Sequence, residues 1–111
     1  MIDLGFKLSH RIAVYVPTAD ANGQSVDSAS YVEQTLSELS SLFGGATAQA
    51  AQGAWNGANG LVREDITICY SFADALSDDA LRKIAALADR IKTDLDQESV
   101  ALEVDGALYL A

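Results

Sequence analysis

The chain has little of almost everything that announces a chemistry. It contains one cysteine, one histidine, one proline and one tryptophan in 111 residues. A lone cysteine, Cys69, excludes an intrachain disulfide and a zinc cluster built on thiolates. No apolar run approaches the ~20 residues that a membrane helix requires, so no membrane partner is expected. Basic residues are scarce: 7 lysines and arginines stand against 16 acids, for a net charge of −9. Such a surface repels phosphate backbones and argues against direct nucleic-acid binding. It leaves two readings, plain solubility or attraction to a basic protein partner, including mimicry of a nucleic acid. The acids are spread along the chain rather than blocked, which favours solubility. Residues 1–10 carry Asp3 and lack the apolar core of a secretory signal, so a cytoplasmic location is expected.

What is present is hydrophobic pattern. Half of the residues are hydrophobic, enough for a packed globule of one domain spanning residues 1–111, with residues 1–10 expected to be loosely attached. Ile12, Val14 and Val16 alternate, and Pro17 closes that strand because proline cannot donate to a ladder. Val32, Leu36, Leu39 and Phe43 recur at helical spacing. Ser30-Tyr-Val-Glu33 fits a capping box at the start of that helix, and Gly44-Gly45 supplies its end. Residues 46–55 are alanine-rich and only weakly strand-like. Asn56-Gly-Ala-Asn-Gly60 is a turn, and residues 61–72 alternate as the clearest strand. Ser77 caps a second helix, with Asp78 and Asp79 in its first turn. Its inner stripe is Leu81, Ile84, Leu87, Ala88, Ile91 and Leu95. Val100, Leu102 and Val104 form the last main strand. Asp105-Gly106 signals a type I′ hairpin, which allows a short extra strand at residues 107–110. The order predicts an α+β, ferredoxin-like βαββαβ domain: a four-stranded antiparallel sheet with two helices on one face.

Alternation also assigns faces. With the large apolar residues turned toward the helices, Ile66, Ile68, Tyr70 and Phe72 join Ile12, Val14, Val16, Val100, Leu102 and Val104 in the core. The opposite, open face then carries Arg11, Ala13, Tyr15, Arg63, Asp65, Thr67, Cys69, Ser71, Ala101 and Glu103. That face lacks the aromatic rows with basic neighbours that RNA-binding sheets use. Its small residues suit a second copy of the chain or a ligand in a shallow cleft. A solvated face with Arg11–Glu103 and Arg63–Asp65 pairs explains them equally well.

Individual constellations give no catalytic set. Cys69 in an apolar strand reads as a packing residue, and His10 is too remote to activate it. Asp94, Asp96 and Glu98 alternate, but a helix end interrupts them and solvation explains them; no metal and no cofactor is expected. Arg63-Glu64-Asp65 could hold an anion beside an acid, yet Glu64 points away from its two neighbours on a strand. Trp55 is read as a plug over the hairpin rather than a lid on the sheet.

Three segments occur in order: Gly53-Ala-Trp55, Gly60-Leu-Val-Arg-Glu64 and Gln97-Glu-Ser-Val100. On these the second half of the chain resembles a family of small uncharacterised bacterial proteins, a domain of unknown function whose members often carry lipoprotein leaders. Leu42-Phe-Gly-Gly-Ala-Thr47, with Val100-Ala-Leu-Glu-Val104, is similar to small hypothetical proteins of mobile elements. The first resemblance implies one shared site for Trp55, Arg63, Glu64, Gln97 and Glu98. Taking the first strand as parallel to the third and antiparallel to the last puts Arg63 and Gln97 at opposite ends, against such a site. The resulting expectation is a non-enzymatic binding or assembly module, acting as a homodimer through Tyr15, Trp55, Arg63, Thr67 and Glu103. The alternatives are a small-molecule binder or small enzyme using Arg63 and Glu64, and an acidic inhibitor of a nucleic-acid-binding protein.

Overall fold

The computed structural model describes residues 2–20 and 22–111. The elements are β1 (His10–Pro17), α1 (Ala29–Phe43), β2 (Thr47–Gly57), β3 (Gly60–Ala73), α2 (Asp78–Asp94), β4 (Ala101–Val104) and β5 (Ala107–Leu110). The strands form one five-stranded sheet in the order β2-β3-β1-β4-β5. Every neighbouring pair is antiparallel. The extra C-terminal strand is therefore present, and the sheet has five strands rather than four. Asp105 and Gly106 both adopt positive φ, at 51° and 84°, which a type I′ turn demands of both central residues.

The helices begin and end for legible reasons. Ser77 accepts a hydrogen bond from the Ala80 amide at 3.1 Å, a true N-cap for α2. Gly44 sits at φ 92° and returns its amide to Ser40, ending α1 in the left-handed region that glycine occupies without strain. The Ser30–Glu33 capping box does not form. Ser28 is the N-cap of α1 without a side-chain bond, and Ser30 lies inside the first turn. The Ala29 amide is met instead by the Asp27 carboxylate at 3.2 Å.

The alanine-rich segment is a full strand of eleven residues. Its pairing runs the whole length from Thr47–Tyr70 to Gly57–Gly60. Continuous ladder pairing with a strong neighbour thus overrides poor local propensity.

The core lies between the helices and one face of the sheet. Ile12, Val14, Val16, Leu39, Cys69, Ile84, Leu87, Ile91, Val100 and Leu102 pack there as one cluster. Cys69 in that set exposes an error of phase. Directly opposed residues of antiparallel strands share a face, and Ile12, Val14 and Val16 oppose Ser71, Cys69 and Thr67. The small residues Thr67, Cys69, Ser71 and Ala73 therefore face the helices. Ile66, Ile68, Tyr70 and Phe72 lie on the open face, opposite to expectation. Ser71 donates to the Gly45 carbonyl at 2.6 Å, so its hydroxyl is satisfied in the buried layer. Small side chains there let α1, which lies chiefly over β3, approach the sheet closely.

Candidate functional site on the open sheet face

Strand direction decides which residues can meet. β3 and β4 both run antiparallel to β1, so they are parallel to each other and start at the same end of the sheet. The expectation that Arg63 and Gln97 sit at opposite ends is thereby corrected. At that common end the loop after β1 and the loop before β4 converge on the first residues of β3.

The two loops are tied together. The Gln97 side-chain amide donates to the Ala19 carbonyl and to the Leu95 carbonyl at 3.2 Å. Asp20 folds its own loop by accepting the amides of Asn22 and Gln24, each at 2.9 Å. The Thr18 hydroxyl donates to the Asp65 carbonyl at 2.6 Å, pinning the same loop to β3.

The outcome is a cleft of about 360 Å³ lined by Asp20, Trp55, Glu64, Gln97, Glu98 and Ser99. A smaller hollow of about 150 Å³ shares Glu64, Gln97 and Ser99 and continues toward Tyr15, Ile66, Ala101 and Leu110. Together these fall in the range of roughly 300–1,000 Å³ typical of small-molecule sites. The cleft offers three carboxylates, one indole and a hydroxyl, a set suited to an organic cation with an aromatic part. No group of three His, Cys, Asp or Glu among the described residues is placed to hold a metal ion.

Beside the cleft, the open face carries a linked polar network. Glu103 accepts from the Tyr15 hydroxyl at 2.9 Å and from Arg11 Nε at 3.1 Å. Arg11 lies over the Tyr70 ring at 4.2 Å and near Phe72 at 5.8 Å. Burial, then the adjacent Glu103 carboxylate, pushes the Tyr15 phenol above its ordinary value. The expectation of a face without aromatics beside a base is thus corrected. It followed from the wrong phase of β3.

The sequence-predicted residues divide between the two faces, with one hollow bordered from both. Trp55, Glu64, Gln97 and Glu98 share the cleft, and Tyr15 shares a hydrogen bond with Glu103. Trp55 is half-exposed and lines the cleft, so it does not plug the hairpin. Arg63 opposes Ala54, and Thr67 opposes Ala50 and Val16, which places both on the other face from Glu64. Arg63 lines a neighbouring hollow with Thr18, Asp20 and Asp65, which Trp55 and Glu64 also border from their side of the strand pair. The Arg11–Glu103 pair forms as expected. Asp65 accepts from Gln52 at 3.3 Å rather than pairing with Arg63. His10 is the first residue of β1, with Nδ1 2.7 Å from the Asp105 carboxylate, so it is bound to the body of the domain. Sequence reasoning missed Asp20 and Ser99. Asp20-Ala-Asn-Gly23 carries only a turn signature, and nothing in Ser99 announces a cleft.

Cys69 is fully buried, and burial pushes its thiol up to about 11. A thiol so placed is not a nucleophile at neutral pH.

Two solved structures that share this architecture are of one class, a lyase from phage. A phage SAM lyase in complex with S-methyl-5′-thioadenosine matches with a TM-score of 0.68 at 18% identity, covering 100% of this chain and 95% of that one. A phage SAM lyase in the apo state matches with a TM-score of 0.65 at 22% identity, covering 98% and 95%. No protein-family model matches the chain, and no curated protein does. The likeness overturns the non-enzymatic assembly module expected from the sequence, because both of these matched structures are of an enzyme. No helix among the described residues is long and apolar enough to cross a membrane.

Proposed function

We propose that this protein is a lyase that cleaves S-adenosylmethionine and releases S-methyl-5′-thioadenosine. The observation that carries the reading is the end-to-end match to a phage SAM lyase, with nothing of consequence left over on either chain. The cleft supports it independently. S-adenosylmethionine carries two cationic centres, its ammonium and its sulfonium, and one carboxylate, joined to an aromatic base. Asp20, Glu64 and Glu98 supply anionic partners, and Trp55 supplies a face for the base or for the sulfonium.

Release of the thioether requires breakage of the bond between sulfur and the γ-carbon of the amino-acid part. The bonding pair goes to sulfur, which becomes neutral. The substrate's own carboxylate attacks the γ-carbon and closes a lactone, so atoms and charge balance without water, cofactor or proton transfer. This route fits a site whose work is to hold and desolvate. It asks the protein to fold the substrate so that carboxylate and γ-carbon meet, which is worth several kcal/mol when the geometry is right. Opposite charges are lost in the step, so exclusion of water along the apolar wall of Ile66 and Leu110 favours it. In this reading Glu64 and Glu98 anchor the ammonium group, leaving the carboxylate free, and Gln97 keeps the two loops closed on each other.

We also read β1 to β4 with the two helices as a ferredoxin-like βαββαβ unit to which β5 has been added. Its support is the strand order β2-β3-β1-β4. The cytoplasmic location expected from the sequence suits a substrate that is a metabolite of the cell interior.

The test is direct. Purified protein incubated with S-adenosylmethionine should accumulate S-methyl-5′-thioadenosine and homoserine lactone, resolved by liquid chromatography and mass spectrometry. A folded protein that yields neither, at high enzyme concentration and long incubation, refutes the activity.

A further inference from the structure

Cleavage by lactone closure engages the ammonium, the carboxylate and the γ-carbon of the substrate. The methyl group stays on sulfur and takes no part. The open face holds a second space suited to such an inert group. It is the hollow of about 150 Å³ that adjoins the cleft at Glu64, Gln97 and Ser99, which line both. Its other walls are Tyr15, Pro17, Ile66, Val100, Ala101 and Leu110, apolar but for one phenol.

Strand register builds this floor. Pro17 opposes Ile66, and Ala101 opposes Leu110, so each pair shares the open face. Ala101 leaves room where a larger residue would stand. The Tyr15 hydroxyl is already engaged. It donates to Glu103 Oε1 at 2.9 Å, and the other oxygen of Glu103 accepts from Arg11 Nε at 3.1 Å. Tyr15 is thereby held as a wall, offering its ring rather than a free hydroxyl. Glu64 is the one charged residue among those that line the hollow. Away from Glu64, such a space penalises a charged group and accepts an apolar one.

We propose that this hollow receives the alkyl group of the sulfonium, and that the protein also cleaves adenosyl sulfonium substrates whose S-alkyl group is larger than methyl. This placement rests on the lyase reading. With the ammonium held by Glu64 and Glu98 and the base on Trp55, the sulfonium joins the two parts. Its third substituent is then the one group without a partner in the cleft. The apolar space beside Glu64 takes it, with the Tyr15 ring next to the positive sulfur. A methyl group occupies ~30 Å³, as a water molecule does, and so fills only a fraction of the 150 Å³. Room remains for a longer chain. The chemistry tolerates one, since the alkyl group makes and breaks no bond. The carboxylate oxygen bonds to the γ-carbon, the bond from that carbon to sulfur breaks with its pair going to sulfur, and the alkyl group leaves on the neutral thioether. The S-ethyl substrate therefore yields S-ethyl-5′-thioadenosine and the same homoserine lactone.

The test offers the purified protein S-adenosylmethionine and S-adenosylethionine, and follows both thioethers by liquid chromatography and mass spectrometry. A pocket matched to methyl loses about 10- to 200-fold on one extra methylene; here kcat/KM for the ethyl substrate should stay within about threefold of the methyl one. Ala101→Leu fills the hollow and should lower the ethyl-to-methyl ratio about 10-fold or more, with a parent-like circular dichroism spectrum. A general loss of activity lowers both rates together, so the ratio reads the hollow alone. If Ala101→Leu does not fold, or turns over neither substrate, Ala101→Val takes its place. A parent that cleaves S-adenosylmethionine but discriminates against the ethyl substrate beyond that range overturns the proposal and leaves the lyase reading standing. So does an Ala101 variant that keeps the parent's ratio. A parent that cleaves neither substrate refutes the lyase activity, and this placement with it.

Discussion

The two faces of the sheet are built to opposite rules. The helix-covered face is dry: Ile12, Val14, Val16, Leu39, Ile84 and Ile91 are fully buried, and its polar members, Thr35 and Ser71, bond to backbone carbonyls. The open face carries larger, partly wet side chains. Tyr15, Glu103 and Arg11 bond to one another there, and Tyr70, Phe72, Ile66 and Ile68 remain partly accessible. One face therefore holds the fold together, and the other is left available for recognition. The lesson of the difference is that size did not choose the inside. On β3 the small residues went in and the bulky ones out, because β1 and the helices already fill the interior.

Stability measurements can break that comparison most forcefully. Leu39→Ala removes a wholly buried side chain and should cost about 2–5 kcal/mol. Ile68→Ala, on the open face, should cost less than about half of that, since only part of its surface leaves water on folding. Urea midpoints at equal slope give both values. Equal costs would mean that β3 has its helix-facing side reversed.

Adjacent residues on opposite faces sharpen the same contrast in activity. Glu64→Gln removes a carboxylate from the cleft and should lower kcat/KM for S-adenosylmethionine about 10- to 100-fold, the worth of one charge-assisted contact. Arg63→Gln lies on the other face and should stay near the parent value. If Arg63 proves the more sensitive, the cleft has been placed on the wrong side of the strand.

The smallest expected effect is an alkaline one, and it reads the dry face through Cys69. Its folded-state pKa is raised from an ordinary 9.0 to about 11, so the unfolded chain loses the thiol proton first. The stability that burial of the neutral thiol contributes is intact below 9.0 and falls as pH rises toward about 11. Cys69→Ala should flatten that part of the stability–pH curve. Tyr15, whose phenol is also raised, leaves a shallower slope behind. An unchanged slope in Cys69→Ala would show that the thiol is not desolvated in the folded protein.

The sequence alone determined most of the elements. Periods of two and 3.6 located β1, β3, β4 and both helices; β2 is expected only weakly, from its position, and β5 only from the turn before it. Ser77, Gly44 and Asp105-Gly106 marked ends and turns, because caps and positive-φ positions are local chemistry written in single residues. It also placed Tyr15 with Glu103 and singled out Trp55, Glu64, Gln97 and Glu98. Only the tertiary structure decided three things. The first is the phase of β3: a period of two says which residues travel together, not which set faces the helices, and cross-strand register with β1 settles that. The second is that the starts of β3 and β4 meet, because strand direction is a property of the whole sheet and not of any segment. The third is the cleft itself. Asp20 and Ser99 carry no signal in the chain and acquire one only when a hydrogen bond from Gln97 draws their two loops together.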